Sequence, residues 1–251
     1  MTRLKSKIQN MHKCRVLTAV FMIAMSMPLF AQSDDFGIWG EVNVEKKLSN
    51  RWSLDAGLEY RTRDNLKTSS RWSFGVDASY KITDWLKASA GYTLLDDHRY
   101  KENDSGKKYG DYWGLRHRFN VTLTAAKTFG IVTLSLRERW QYTYRPEKTV
   151  QRYYTSDNTE ADEHTYGCKG KNVWRNRLQV KLRASKMFRP YANVETYVAN
   201  GLDKMRYAAG TEIRLNKQHV FDVKYMFQRP FSSDDYDVNT HIIGIGYTFK
   251  F

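Results

Sequence analysis

Residues 70–82 read SRWSFGVDASYKI, and this stretch decides the fold class. Apolar side chains stand at every second position, from Trp72 through Phe74 and Val76 to Ile82, and polar or small side chains lie between them. Successive side chains of a β-strand point to opposite faces of the sheet. The stretch therefore predicts a strand with one apolar face and one polar face.

The same alternation recurs along the chain after residue 35. Each segment is about 10 to 14 residues long, whereas a tilted strand needs roughly 9–11 residues to cross the hydrocarbon core of a membrane and ordinary strands average about 5–6. Long alternating strands along the whole chain predict a membrane barrel. The segments are Phe36–Lys47, Arg51–Arg63, Ser70–Ile82, Leu86–Leu95, Leu115–Lys127, Val132–Arg145, Trp174–Lys186, Pro190–Asn200, Met205–Leu215, Val220–Gln228 and His241–Phe251.

The connections between these segments alternate between short turns and longer polar loops, which is the outer-membrane pattern. The two longest loops are predicted at residues 96–114 and 146–171. The fold class is therefore an all-β, transmembrane, antiparallel up-and-down β-barrel. The eleven segments disagree with the even strand number of bacterial barrels. Because either a strand is missed or one segment lies outside the wall, the prediction is 10–12 strands.

The first 31 residues have the three parts of a secretory signal peptide. A basic start without acidic residues precedes an apolar run from Val16 to Phe30, and a small residue, Ala31, stands at a plausible cleavage site. The apolar run is shorter than the roughly 20 residues of a spanning helix. We predict a cleaved signal peptide at residues 1–31 and one barrel domain at residues 32–251.

The chain is basic, with a formal charge of +14. Removal of the five basic residues of the leader lowers this charge to +9, which can favour nucleic acid or an anionic surface. Export excludes nucleic acid as a partner, so we expect a protein of the bacterial outer membrane in contact with its lipids. Cys168 alone remains after cleavage, and a single cysteine forms no intramolecular disulfide.

Three short stretches resemble one family of outer-membrane barrels. KLSNRWSL at residues 47–54 resembles its first hairpin, LRERW at residues 136–140 its basic central strand, and GYTFKF at residues 246–251 the closing strand of outer-membrane proteins generally. The family is catalogued as domain of unknown function 2490. The resemblance implies fold and location but no activity. It also implies that the barrel assembly machinery reads the last strand through its aromatic side chains, Tyr247, Phe249 and Phe251.

The polar face of the strands is rich in arginine, and in a membrane barrel this face lines the lumen. The predicted basic lining is Arg61, Arg71, Arg116, Arg118, Arg137, Arg139, Arg175, Arg177, Arg183 and Arg214. The predicted acidic lining is Asp55, Glu59, Asp77, Glu195 and Glu212. Two interpretations remain open: a narrow anion-preferring pore, and a lumen filled by paired charges with a structural role. One carboxylate, Glu138, falls on the apolar face.

The sequence gives weaker support for catalysis or metal binding. A lipid hydrolase would need a base beside a nucleophile, but His117 and His241 stand in no His-x-Ser pattern, and Ser73 could meet His117 only through strand register. We predict no catalytic residue and no cofactor. The acidic residues around His98 and His164 suit solvation, and no metal site is predicted.

The longest predicted loop offers a second candidate role. Residues 146–171 contain Tyr153, Tyr154 and Tyr166, and loops on rigid scaffolds often carry recognition. Loop-mediated binding at the cell surface is therefore an alternative function. A soluble lipocalin-like barrel is the rival fold, and it would place the apolar residues inside.

Overall fold

A computed structural model describes residues 34–231 and 238–251, so the predicted signal peptide lies outside the described residues. The described chain forms thirteen strands and contains no helix long and apolar enough to span a membrane. The strands are β1 (Asp35–Lys47), β2 (Trp52–Arg63), β3 (Thr68–Lys81), β4 (Leu86–Glu102), β5 (Lys108–Phe129), β6 (Val132–Arg145), β7 (Lys148–Tyr154), β8 (Glu160–Tyr166), β9 (Lys169–Leu182), β10 (Phe188–Val198), β11 (Leu202–Arg214), β12 (His219–Pro230) and β13 (Thr240–Lys250).

Eleven strands close into a barrel, which confirms the predicted range of 10–12. Antiparallel pairs run from β1 to β6, β6 pairs with β9, and the series continues from β9 to β13. The wall then closes through a parallel pairing of β1 with β13, from Asp35↔Thr240 to Glu45↔Lys250. The predicted antiparallel up-and-down barrel is therefore confirmed, with this seam as a parallel pairing in the described wall. In an alternating series of odd number, the first and last strands run in the same direction.

The two ends of the barrel differ. At one end, called the short-turn end, tight connections at residues 48–51, 82–85, 130–131 and 215–218 join neighbouring strands. At the other, called the long-loop end, β4 and β5 extend far past their neighbours and pair as far as Glu102↔Tyr109. The prediction of an irregular loop at residues 96–114 is therefore wrong. In this extension the strand residues no longer alternate between apolar and polar, but their backbone pairing continues.

The predicted loop at residues 146–171 also contains regular structure. Strands β7 and β8 form a hairpin, and β7 pairs with the N-terminal end of β5 at Lys108↔Tyr154 and Tyr109↔Tyr153. Lys108 Nζ lies 2.9 Å from an oxygen of Asp162 on β8, and Arg152 on β7 donates to the same carboxylate. The hairpin is therefore an ordered extension of the wall.

The outer face of the barrel is apolar. Trp72, Phe74 and Val76 expose 54, 47 and 40 % of their surface. In contrast, Arg137 on β6 bonds Glu195 on β10 although β9 lies between these strands. Side chains of non-adjacent strands meet in this way only across the inside of a barrel. The lipocalin-like alternative is therefore wrong, because it requires an apolar interior.

Aromatic residues form two bands on the outer face. Trp52 packs against Tyr80 with ring centroids 4.8 Å apart, and Tyr60 packs against Trp72 at 4.4 Å. Trp52 and Tyr60 are eight residues apart on β2, which corresponds to about 27 Å along a strand. With a strand tilt near 40°, the two aromatic pairs lie about 21 Å apart along the barrel axis. This distance is slightly less than the apolar band of about 25 Å found in membrane barrels.

Candidate functional site

Glu195 lies at the centre of the lumen and is 3 % exposed. It accepts hydrogen bonds from Arg137, from Arg175 Nη2 at 3.0 Å and from the hydroxyl of Tyr197 at 2.8 Å. Arg206 Nη1 lies 3.6 Å from the same carboxylate. One carboxylate is thus shared by arginines of three strands, β6, β9 and β11. We call these five residues the Glu195 cluster.

Two further carboxylates are paired on the opposite side of the lumen. Asp97 on β4 is 5 % exposed and is contacted by Arg71 on β3 and by Arg116 on β5, whose Nε lies 3.0 Å away. Glu59 on β2 bonds Arg61, with Nε at 2.8 Å. Burial makes such pairs demanding, because an unpaired charge away from water is costly. These contacts fill much of the barrel cross-section with ordered side chains.

Three arginines of the predicted lining that lie on neighbouring wall strands have no carboxylate within ion-pairing distance in residues 34–231 and 238–251. Arg118 donates to Thr143 Oγ1 at 3.3 Å, Arg139 donates to Thr122 Oγ1 at 2.8 Å, and Arg177 completes the set. They lie on β5, β6 and β9, which are consecutive in the wall. This side of the lumen therefore carries uncompensated positive charge, and we call it the basic wall.

Arginines also face one another directly between strands. Arg137 is the register partner of Arg177, and Arg139 is the partner of Arg175. Arg61 and Arg71 form a third such pair on β2 and β3. Like charges directly opposite on neighbouring strands destabilise a sheet. Each of these pairs contains at least one arginine that bonds a buried carboxylate, which offsets part of this repulsion.

The facing side of the lumen contains a small apolar cluster beside charged residues such as Glu41 and Lys224. Ile242 is the fully buried member of this apolar cluster, and Trp39 on β1 packs against the cluster. The guanidinium groups of Arg61 and Arg206 lie 3.6 and 4.7 Å from the centroid of the Trp39 ring, which is cation–π geometry. Trp39 thus joins the charged residues of the lumen to the apolar cluster. The apolar cluster consists of Ala208, Met226 and Ile242.

The remaining predicted lumen residues lie toward the short-turn end. Asp55 stands between Glu45 and Asp77 on neighbouring strands. Asp77 fits because Gly91 has no side chain, since a Cβ there would lie 2.0 Å from Asp77 Oδ1.

Glu212 bonds Lys181 on β9 and Arg214, whose Nη2 lies 3.2 Å away. The prediction for Arg183 is wrong: β9 ends at Leu182, and Arg183 lies in the exposed turn that follows.

Sequence reasoning missed the carboxylate of Asp97 and two aromatic participants in the lumen, Trp39 and Tyr197. Both aromatic residues share the inward positions of their strands, Trp39 with Glu41 and Tyr197 with Glu195. Their place among the alternate residues that face inward could have predicted both as lumen residues. Aromatic side chains are expected on the lipid face, so an aromatic residue at an inward position does not by itself predict a lumen residue.

The residues considered for lipid hydrolysis do not come together. Ser73 Oγ lies inside the barrel and 3.2 Å from Glu59, whereas His117 lies on the outer face with Nδ1 2.8 Å from the Tyr92 hydroxyl. His241 Nδ1 lies 2.6 Å from the Tyr225 hydroxyl. These histidines thus take part in outward-facing His–Tyr pairs.

The acidic residues near His98 serve other contacts. Asp97 is occupied by arginines, and His98 Nε2 bonds Asp111. In the described part of the chain, no three His, Cys, Asp or Glu side chains gather as a metal site would require.

The aromatic residues of the last strand lie on the outer face. The ring centroid of Tyr247 is 5.0 Å from that of Phe221, and Phe249 stacks on Phe251 at 5.7 Å. Lys46 Nζ lies 5.2 Å from the Phe251 ring. Recognition of Tyr247, Phe249 and Phe251 by the assembly machinery stays a prediction.

A closed barrel with an apolar outer wall and a charged interior has the fold of outer-membrane β-barrel proteins. The β domain of the Bordetella autotransporter BrkA is similar at 14 % identity and a TM-score of 0.50, covering 80 % of this chain and 82 % of that chain. The NanC porin is similar at 13 % identity and a TM-score of 0.50, covering 86 % and 98 %. At these identities the likeness concerns the fold alone.

The chain belongs to the family described as protein of unknown function DUF2490, whose sequence profile matches residues 36–239. This membership confirms the resemblance predicted from the short sequence stretches. Comparison with curated proteins gives no match.

Proposed function

We propose that the barrel resides in the outer membrane after export and provides a constricted path that passes small anions more readily than cations. The observation that carries the proposal is the basic wall, where Arg118, Arg139 and Arg177 of three consecutive strands have no carboxylate partner among the described residues. Rings of arginine or lysine select anions in pores. A passing anion would relieve the repulsion between these arginines.

The burial of the lumen side chains supports a narrow path. Glu195, Asp97 and Arg206 are 3, 5 and 9 % exposed, so the charged clusters occupy the barrel centre. Barrels of about eight strands are filled by side chains, whereas about sixteen leave an open channel. Eleven strands with paired charges thus favour small conductance over a wide pore.

The proposal assigns no catalysis and no cofactor to the barrel. The outer wall would contact membrane lipids, and the last strand would serve recognition by the assembly machinery. Separation of Ser73 and His117 to opposite faces of the wall supports a role without hydrolysis.

Planar-bilayer recording tests the proposal. The purified chain should show small steps, and in a salt gradient the reversal potential should have the sign of anion preference. The double variant Arg139→Ala/Arg177→Ala should lower the anion-to-cation permeability ratio at least twofold, by removing charge from the basic wall. The control Lys186→Ala/Lys217→Ala removes equal charge from exposed turns and should retain the preference.

Cation-selective steps would contradict the proposal. So would the absence of any conductance in protein shown to be folded by its heat-modifiable gel mobility. A double variant with unchanged selectivity would show that the basic wall does not select ions.

A further inference from the structure

A cavity of about 160 Å³ lies at the long-loop end, beneath the β7–β8 hairpin. Its wall is built from inward side chains of the extended ends of β4, β5 and β6 and from the end of β8. The lining includes Arg99, Tyr112, Arg145, Glu147, Lys148 and Tyr166. Three of these residues are basic and one is acidic, so the cavity has an excess of positive charge.

Two tyrosines form one side of the cavity. The rings of Tyr112 and Tyr166 stack with centroids 5.3 Å apart and planes inclined by 20°. Tyr112 is only 9 % exposed, yet its hydroxyl has no hydrogen-bond partner among the described residues. A buried hydroxyl without a partner is unfavourable, and such groups often mark the place of a ligand or an ion.

The basic residues of the cavity are held close together. Arg99 and Arg145 line the same cavity, and burial, together with the positive charge of Arg145, lowers the pKa of Arg99. Arg145 Nη2 donates to the carbonyl of Gly167 at 2.7 Å, and Lys148 Nζ donates to the carbonyl of Trp113. The Nε atoms of both arginines are buried and lack an acceptor in the part of the chain that the structure describes. Two buried guanidinium donors of the cavity lining are thus left without an acceptor.

We propose that this cavity binds a small anion that carries a carboxylate or phosphate group. Arg99 and Arg145 would bind its oxygens, because a guanidinium fork fits such groups. The hydroxyl of Tyr112 would donate to the same group.

The site goes beyond the proposed path for anions. Arg99 follows Asp97 by one inward position on β4, so this cavity residue lies next to the ion pairs of the lumen along the strand. Binding here does not require that an anion pass through the barrel, however. The inference therefore holds or fails separately from the selectivity of the lumen.

Isothermal titration of the full chain in detergent micelles tests the site. The probes are glucuronate for the carboxylate, inorganic phosphate for the phosphate, and glucose as a neutral control. At least one anion should bind, and glucose should not. Binding of glucuronate alone, or of phosphate alone, identifies which group the site prefers.

Three variants locate the binding. Arg99→Ala/Arg145→Ala should raise Kd at least tenfold. Tyr112→Phe removes only the unpartnered hydroxyl and should raise Kd severalfold without changing the fold. Lys217→Ala, at the short-turn end, should bind like the unmodified chain.

Failure of both anions to bind would overturn the inference, as would glucose binding equally well. Unchanged affinity in both cavity variants would also overturn it. Each variant is checked for the folded mobility of the unmodified chain. Bilayer recording of the same variants separates the two proposals, since lost binding with intact anion preference contradicts only the cavity site.

Discussion

The carboxylates of Glu195 and Asp162 each bind basic side chains, but in opposite surroundings. The side chain of Glu195 is 4 % exposed and contacts three arginines in the lumen. The side chain of Asp162 is 49 % exposed and contacts Lys108 and Arg152 in the surface hairpin. Water can replace the partners of Asp162 but has little access to those of Glu195. Burial therefore decides how much each ion cluster contributes to stability.

The largest expected effect is that of Glu195→Gln. The change leaves Arg137, Arg175 and Arg206 buried together without their shared counter-charge. Breaking a buried ion pair typically costs about 3–5 kcal/mol, so we expect a loss in this range. Urea unfolding in lipid vesicles, followed by tryptophan fluorescence, measures it.

The matched control for that experiment is Glu163→Gln, in the exposed hairpin, which should change the free energy of unfolding by less than about 0.5 kcal/mol. If Glu195→Gln were equally mild, water in the lumen would have to solvate the three arginines. The contrast between buried and exposed clusters would then be lost.

A third carboxylate sharpens the comparison, because Glu138 faces the lipid. It lies opposite Leu123 and Asn176 in the wall, two residues from Trp140. Charge on the lipid face is unfavourable by an amount that falls to about 0–1 kcal/mol near the membrane interface. Glu138→Gln should therefore stabilise the barrel by up to about 1 kcal/mol in the same urea assay. A clear destabilisation would indicate that Glu138 has a favourable partner.

The smallest effect is expected at Asp162, and it depends on pH. Hydrogen bonds from Lys108 and then Arg152 lower the pKa of this carboxyl group. A carboxyl whose pKa is lowered in the folded state stabilises docking of the hairpin above the unfolded value of about 3.9. That contribution is lost as pH falls through the folded value.

A fluorophore on the exposed thiol of Cys168 reports this docking, in a chain carrying Cys14→Ser. Its anisotropy should fall below about pH 4. In Asp162→Asn the anisotropy should be lower at neutral pH and should lose this acid transition. Persistence of the transition in the variant would assign it to another group.

Every wall strand could be predicted because lipid and lumen impose opposite chemistry on alternate residues. The alternation of Trp72, Phe74 and Val76 is the direct result. Where β4 and β5 leave the membrane this requirement ends, so Lys101 and Lys108 gave no sign of belonging to strands. The parallel seam was equally hidden, because pairing of Asp35 with Thr240 depends on closure of the whole barrel.

The residues of the lumen could be predicted from the sequence more fully than those of the cavity. The alternation of inward and outward positions along a strand was enough to predict Arg137 and Glu195 as lining residues. It could not predict that one carboxylate would serve arginines of three strands, because this depends on side-chain reach across the barrel. The cavity needs Arg99, Arg145 and Tyr166, which converge only when the hairpin folds back onto β5.

The parallel seam has a consequence for how the barrel forms. Lys250 bonds Glu45 across it, a contact between residues 205 positions apart. Contacts so distant in sequence form late, because a long chain must first be brought together. Until then both terminal strands expose an open edge. Since parallel pairing is slightly less stable per residue, the wall should part laterally at this junction before any other.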